Sequence, residues 1–238
     1  MDEKRFNELC NRAYEKSYNT FSEFLNLQEQ SVLANTYLPC VKFGGYENAE
    51  RVVAGFGENI TVIDFPISLL EISPVMQKFA DRLSHRDFLG ALMNLGIKRE
   101  LLGDIIVKDN IGYLFCLEHI KDYIIGSVDR IKHTTVTVKE IEGLPDNAVS
   151  IPVEYEIIVS SLRVDAVISA VYNLSRNDSS KLFAQEKVFV SSRQVNSPSY
   201  QLKSGDIVSV RGFGRFTFGS VLRSTKKDRL VIGIEKYE

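Results

Sequence analysis

Residues 162–210 read LRVDAVISAVYNLSRNDSSKLFAQEKVFVSSRQVNSPSYQLKSGDIVSV, and their reading decides the fold of the last third of the chain. Val164, Val167, Ile168, Val171 and Leu174 recur at i, i+3, i+4, i+7 and i+10, an apolar stripe at helical period. Ser175 follows as an N-cap, with Asp178 three residues on and able to reach back to the cap's own amide. A second helix is therefore predicted from Arg176 to about Glu186. Val188, Val190 and Val195 flank the polar Ser191-Ser192-Arg193-Gln194, and Gly205-Asp206 turns the chain before Ile207, Val208 and Val210. Two short strands follow the helices.

Charge separates this region from the rest. Residues 163–238 hold 13 Lys and Arg against 7 Asp and Glu, a net of +6; with the whole chain at −2, residues 1–162 carry −8. That asymmetry points to a polyanion as partner of the C-terminal third. At 3.6 residues per turn the second helix puts Arg176, Ser180 and Lys187 within about 40° of one another and Lys181 roughly 140° from Arg176. The cations of this helix cannot converge on one phosphate.

At these residues the chain resembles the S-four-type RNA-binding domain. The matching motifs are Arg163-Val164-Asp165, Ser175-Arg176, Val188-Phe189-Val190 and Gly205-Asp206-Ile207. It departs from the family pattern at Glu186, where a Gly is usual, and at Ser191-Ser192, where Asn-Gly is usual.

A chain of 238 residues with 44% apolar content can bury substantial cores and form one to three domains. Its apolar runs fall far short of the roughly 20 residues that span a bilayer. Met1-Asp2-Glu3-Lys4-Arg5 opens an amphipathic segment rather than a secretory one, so a soluble cytoplasmic protein is expected, with no membrane partner. Cys10, Cys40 and Cys116 are odd in number and widely spaced. They suit reduced, mostly buried thiols rather than a disulfide framework or a zinc site. With no tryptophan, stacking on bases must use Phe, Tyr or His.

The expected class is α+β in three small domains. Residues 1–66 form an N-terminal α+β unit: two helices within residues 4–36, then short strands at Val41–Phe43, Arg51–Gly55 and Ile60–Ile63. On its first helix, Arg12 and Lys16 sit beside Glu8 and Glu15, a solvated face. Residues 67–159 give the order βαββαβ: strands 67–72, 104–107, 113–117 and 134–141, and helices 86–95 and 119–131. This is the ferredoxin-like, RNA-recognition-like split. Tyr113 and Phe115 alternate onto one face of the third strand, either exposed for base stacking or packed against the helices. Ile151–Val159 is a strand or a linker packing on the last domain, residues 160–238.

His85-Arg86-Asp87 invites two enzyme readings. A kinase would carry Asn five residues after the Asp, where Leu92 stands. In one class of pseudouridine synthases, enzymes that often carry an S-four-type domain, the catalytic Asp follows His-Arg-Leu, and here the Leu is missing. What remains is a helix start. Residues 1–160 hold no nucleotide-binding glycine fingerprint and no metal-ligand cluster, so neither cofactor nor metal is expected.

After Val210, Arg211-Gly212-Phe213-Gly214-Arg215-Phe216-Thr217-Phe218 nearly matches the first RNA-recognition signature, but Arg215 stands where an aromatic should and no βαββαβ surrounds it. It reads as a Gly-hinged loop between two arginines, leading into an added hairpin, 216–222 and 230–234, with a cationic tip at Lys226-Lys227.

Taken together with Phe24-Leu25 to Glu29-Gln30, His85 to Leu92, Leu102-Gly103-Asp104-Ile105 and Thr225-Lys226-Lys227-Asp228, the chain is similar over nearly its full length to the bacterial YlmH/RqcP family. That resemblance implies a non-catalytic factor of ribosome-associated quality control. It would bind ribosomal RNA of the large subunit and a peptidyl-tRNA while a tailing partner protein extends stalled chains with alanine. The RNA-binding residues would be Arg163, Arg176, Lys181, Lys187, Arg193, Arg211, Arg215, Lys226 and Lys227, with Asp165 and Ser175 orienting them, and the protein acting as a monomer. The alternatives are an RNA-modifying enzyme that uses the C-terminal domain for delivery, and a DNA-binding or protein-binding adaptor.

Overall fold

The structure, a computed structural model, describes residues 1–146, 148–149 and 152–237; Ile151, the first residue of the segment expected as strand or linker, lies outside them. The chain divides into two compact units, Met1–Glu29 with Asn35–Val149, and Gln30–Ala34 with Ser150–Glu238.

The first unit opens with α1 (Glu3–Lys16), where Asp2 accepts from the Arg5 amide as N-cap and Phe6, Leu9, Cys10 and Ala13 form the buried stripe. Next come β1 (Thr20–Phe21), α2 (Leu27–Thr36), whose Gln30–Ala34 belong to the second unit, β2 (Val41–Phe43) and β3 (Val53–Phe56), the three strands pairing in the order β1-β3-β2. The strand expected at Ile60–Ile63 is instead a single 3-10 turn, Val62–Asp64. The Asp64 carboxylate accepts from the amide (2.7 Å) and hydroxyl (2.8 Å) of Thr61, a local closure that outcompetes extended backbone.

There follow β4 (Ile67–Pro74), α3 (His85–Asn94), β5 (Leu102–Lys108), β6 (Ile111–Leu117), α4 (Lys121–Ser127), β7 (Arg130–Ile131) and β8 (Thr134–Ile141). All pairs are antiparallel in the order β5-β6-β4-β8-β7, so the first four strands take the ferredoxin-like arrangement. The helix expected over 119–131 is shorter, because Arg130 and Ile131 pair with Thr135 and Thr134 in a hairpin. His85-Arg86-Asp87 does open a helix. Asp87 accepts from the amide and hydroxyl of Ser84 and pairs with Lys132 at 2.8 Å, and these bonds hold its carboxyl down to about 2.

The two faces of this sheet differ. Leu70, Ile72, Leu114 and Cys116 face α3 and α4, meeting Phe88, Leu92 and Ile124; burial there pushes the Cys116 thiol up to about 12. Leu69, Tyr113, Phe115 and Leu117 face the other way, the direction a base-stacking sheet requires, yet meet Phe24, Val53 and Phe65 of the N-terminal segment. Tyr113 is 6% and Phe115 2% exposed, and Tyr46 stacks on Phe115 at 5.1 Å. Gly45, at φ +98°, passes so close that a Cβ there would lie 2.2 Å from the Phe115 ring. Phe24, Val53 and Phe65 thus share a core with the middle sheet. Arg51 ties the cover down, donating to the carbonyls of Phe24 (2.9 Å), Leu102 (2.9 Å) and Arg99 (3.2 Å), while Asp104 accepts from the Glu50 and Arg51 amides and from Tyr46 Oη.

The second unit contains β9 (Val153–Val159), α5 (Val164–Val171), α6 (Arg176–Ala184), β10 (Val188–Val190), β11 (Arg193–Gln194), β12 (Ile207–Val210), β13 (Gly214–Ser224) and β14 (Leu230–Lys236). Its sheet runs β11-β10-β12-β13-β14-β9. β9 pairs with β14 from Val159↔Leu230 to Val153↔Lys236, so this strand belongs to the C-terminal sheet and the division expected at residue 160 moves to before it. Val164, Val167 and Ile168 of α5 close the core on Val188, Val208, Phe216 and Ile232. Among the described residues no helix is long and apolar enough to cross a membrane.

Candidate nucleic-acid interface

Each helix of the second unit begins at a polar device. Arg163 is the residue before α5, and its guanidinium forks onto Asp165 (Nε–Oδ1 3.0 Å, Nη2–Oδ2 2.8 Å), whose Oδ1 also accepts from the Ala166 amide. The carboxylate raises the pKa of Arg163 and fixes the direction of its fork. At α6, Ser175 Oγ accepts from the Asp178 amide at 3.1 Å. The Asp178 carboxylate does not reach the cap's amide as expected; it accepts from Ser175 Oγ (2.7 Å) and from Lys181 Nζ (2.9 Å). Those bonds hold its carboxyl low, and Lys181 is neutralised locally. Arg176 is exposed.

Lys187 is not on the Arg176 face of the helix. The helix ends at Ala184, and Glu186 takes φ +54°, the left-handed conformation for which a Gly is usual. Ser191 (φ 48°) and Ser192 (φ 65°) likewise supply two left-handed residues between the paired Val190 and Arg193, the type I′ turn for which Asn-Gly is usual.

The released strand carries Lys187 to a second loop. The Arg211 amide donates to the Lys187 carbonyl at 3.0 Å, and the Phe213 ring lies 5.6 Å from that of Tyr172 at the end of α5. Arg211 sits over the Phe189 ring at 4.9 Å and Arg215 over Tyr237 at 4.3 Å, each held by cation–π attraction. Lys236 Nζ stands 5.9 Å over Tyr172. Lys236 is therefore the cation at the Tyr172–Phe213 pair, whereas Phe189 and Arg215 both oppose Ser209, so Arg211 over Phe189 and Arg215 over Tyr237 lie on the sheet face away from the core on which Tyr172 packs. Burial pushes the Tyr172 phenol up, so it stays protonated, and its hydroxyl has no hydrogen-bond partner among the described residues.

The other expected cations lie elsewhere. Lys226 and Lys227 are exposed at the β13–β14 tip, roughly 30 Å from Arg215 at about 3.3 Å per strand residue. Arg193 donates to the Ala34 carbonyl at 3.3 Å, and the neighbouring Gln194 amide donates to Ser31 Oγ at 2.9 Å. Sequence reasoning missed Lys236, Tyr172 and Phe213; the two glycines around Phe213 were the available signal. Among the described residues no group of three or more His, Cys, Asp or Glu could hold a metal ion.

The arrangement suits phosphate contacts around an aromatic floor, and comparison with known proteins bears on it. Residues 61–144 match the family model described as "Putative RNA-binding domain in YlmH". The chain is 32% identical over 224 residues, 90% of its length and 86% of the relative's, to "Ribosome-associated protein quality control protein P2" of Bacillus subtilis (strain 168). Among solved structures it is similar to "Cell division protein ylmH from Streptococcus pneumoniae" at 27% identity and a TM-score of 0.47, over 58% of this chain and 87% of that one.

Proposed function

The chain belongs to the YlmH family, and from that premise we propose that it is a non-catalytic RNA-binding factor of ribosome-associated quality control. It binds the large ribosomal subunit carrying a peptidyl-tRNA and steadies that tRNA while a partner protein tails the stalled chain with alanine. It works in the cytoplasm as a monomer. The observation that carries this reading is the 32% identity, along nine-tenths of the chain, to a protein named for ribosome-associated quality control.

The geometry supports it in two ways. The second unit holds the basic surplus of the chain, with Lys236 beside Tyr172 and Phe213 and with Arg211 and Arg215 each held over a ring of the same sheet. Contacts of this kind read backbone and shape, so sequence preference is weak. The sheet of the first unit, whose residues 61–144 match a family model of an RNA-binding domain, has its aromatic face covered, so any RNA contact of that unit does not stack bases on this face. Arg163, Arg176 and the Lys226-Lys227 tip extend the basic surface of the second unit, and Asp165 and Ser175 act only by orienting their neighbours. About seven neutralised phosphates give a log–log salt slope near −5 to −6.

Sedimentation of the tagged protein from lysate through sucrose at low and moderate salt tests this. The wild type is expected with free large subunits, and Arg176→Glu and Arg211→Glu at the top of the gradient. A wild type that stays at the top at low salt would refute stable ribosome binding.

A further inference from the structure

The turn between β12 and β13 presents an aromatic ring, Phe213, on a support, Tyr172, that carries the Lys236 ammonium at 5.9 Å. Phe213 is 43% exposed, whereas Phe183, Phe189, Phe216 and Phe218 of the same unit are buried. One side of its ring rests on Tyr172 at 5.6 Å and 52°, and Tyr172 is backed by Phe216 at 6.1 Å. The loop is shaped for this display. Gly212 (φ +88°) and Gly214 (φ +114°) take left-handed conformations on either side, and the Phe213 amide closes the turn on the Val210 carbonyl at 2.9 Å. Arg211 and Arg215 lie over other rings, Phe189 and Tyr237.

A supported ring with a cation held beside it, here Lys236 over Tyr172, is the chemistry that takes one nucleotide: the ring receives the base face and the cation a neighbouring phosphate. A base within an uninterrupted duplex has both faces stacked and cannot offer one. We propose that Phe213 is a stacking platform for an unpaired RNA base, so that the second unit prefers a helix carrying a bulged nucleotide over a continuous duplex. The preference is for the unpaired state rather than for one base, since every base has a π face. This rests on the RNA-binding reading above and adds to it the structural class of RNA.

The chain contains no tryptophan, so Phe213→Trp creates a sole fluorescent reporter at the site. Two RNAs serve as probes: a hairpin with one unpaired adenosine in its stem, and the same hairpin fully paired. The wild type is expected to bind the bulged hairpin about tenfold more tightly, a typical effect of one stacked base. Phe213→Leu, which keeps the apolar contact with Tyr172, should abolish that difference while leaving the thermal midpoint unchanged. Tryptophan emission should fall at saturation with the bulged hairpin only. Equal weakening of both hairpins by Phe213→Leu, or unquenched emission in the bulged complex, would overturn the stacking role while leaving RNA binding intact. If the wild type bound neither hairpin, the RNA reading would fail and this inference with it.

Discussion

Phe115 and Phe213 make an instructive pair. Phe115 sits with Tyr113 on a central strand, facing away from the helices, the position from which a sheet of this topology stacks on bases; Phe213 sits on a turn in a motif broken by an arginine. Yet Phe115 is 2% exposed beneath Tyr46 and Gly45, and Phe213 is 43% exposed above Tyr172. The periodicity of a strand tells which way a ring points; what else the chain lays over that face decides whether a ligand can reach it. In the first unit the cover is drawn from distant residues of the N-terminal segment, held by the three carbonyl contacts of Arg51.

The contrast can be broken most forcefully at Phe115. Phe115→Ala should cost about 3–5 kcal/mol, the usual loss for a buried phenylalanine, and leave the RNA affinity of the folded protein unchanged. Urea denaturation beside an RNA titration reads both, and a loss of RNA binding without a loss of stability would erase the distinction between the two rings. Arg211→Gln sharpens the other side. Stability should move by less than about 0.5 kcal/mol, as for most exposed substitutions, while the log–log salt slope of RNA binding flattens by about one. An unchanged slope would remove Arg211 from the phosphate contacts. Glu186→Gly frees a left-handed residue of its Cβ strain and should raise stability by about 0.5–1 kcal/mol, visible as a higher urea midpoint. No gain there would mean that the junction between α6 and β10 carries no strain.

These regions also differ in how much of them was legible in the sequence. The Val164–Val171 stripe, the Ser175 cap, the βαββαβ order and the C-terminal hairpin follow from local spacing, and local spacing is what a sequence states directly. The 3-10 turn at Val62–Asp64 was obscured because Ile60, Val62 and Ile63 look like a strand until the Thr61–Asp64 closure is weighed. Lys187 was misplaced because a single left-handed Glu186 rotates everything after it off the helix. Lys236 was missed altogether, since its approach to Tyr172 depends on the pairing of β14 between β13 and β9. Arg211 and Arg215 were therefore readable as motif, and Lys236, contributed by a distant strand, was not.

That same pairing has a mechanical consequence. Val153 opposes Lys236, so the first residue of β9 and the last of β14 are neighbours on two antiparallel strands. Tension applied at these two points would act on the nearest rung alone and then on the next, peeling the strands apart in sequence rather than shearing seven pairs together. The second unit should consequently yield to a small pulling force from its own ends, however well it resists heat or denaturant.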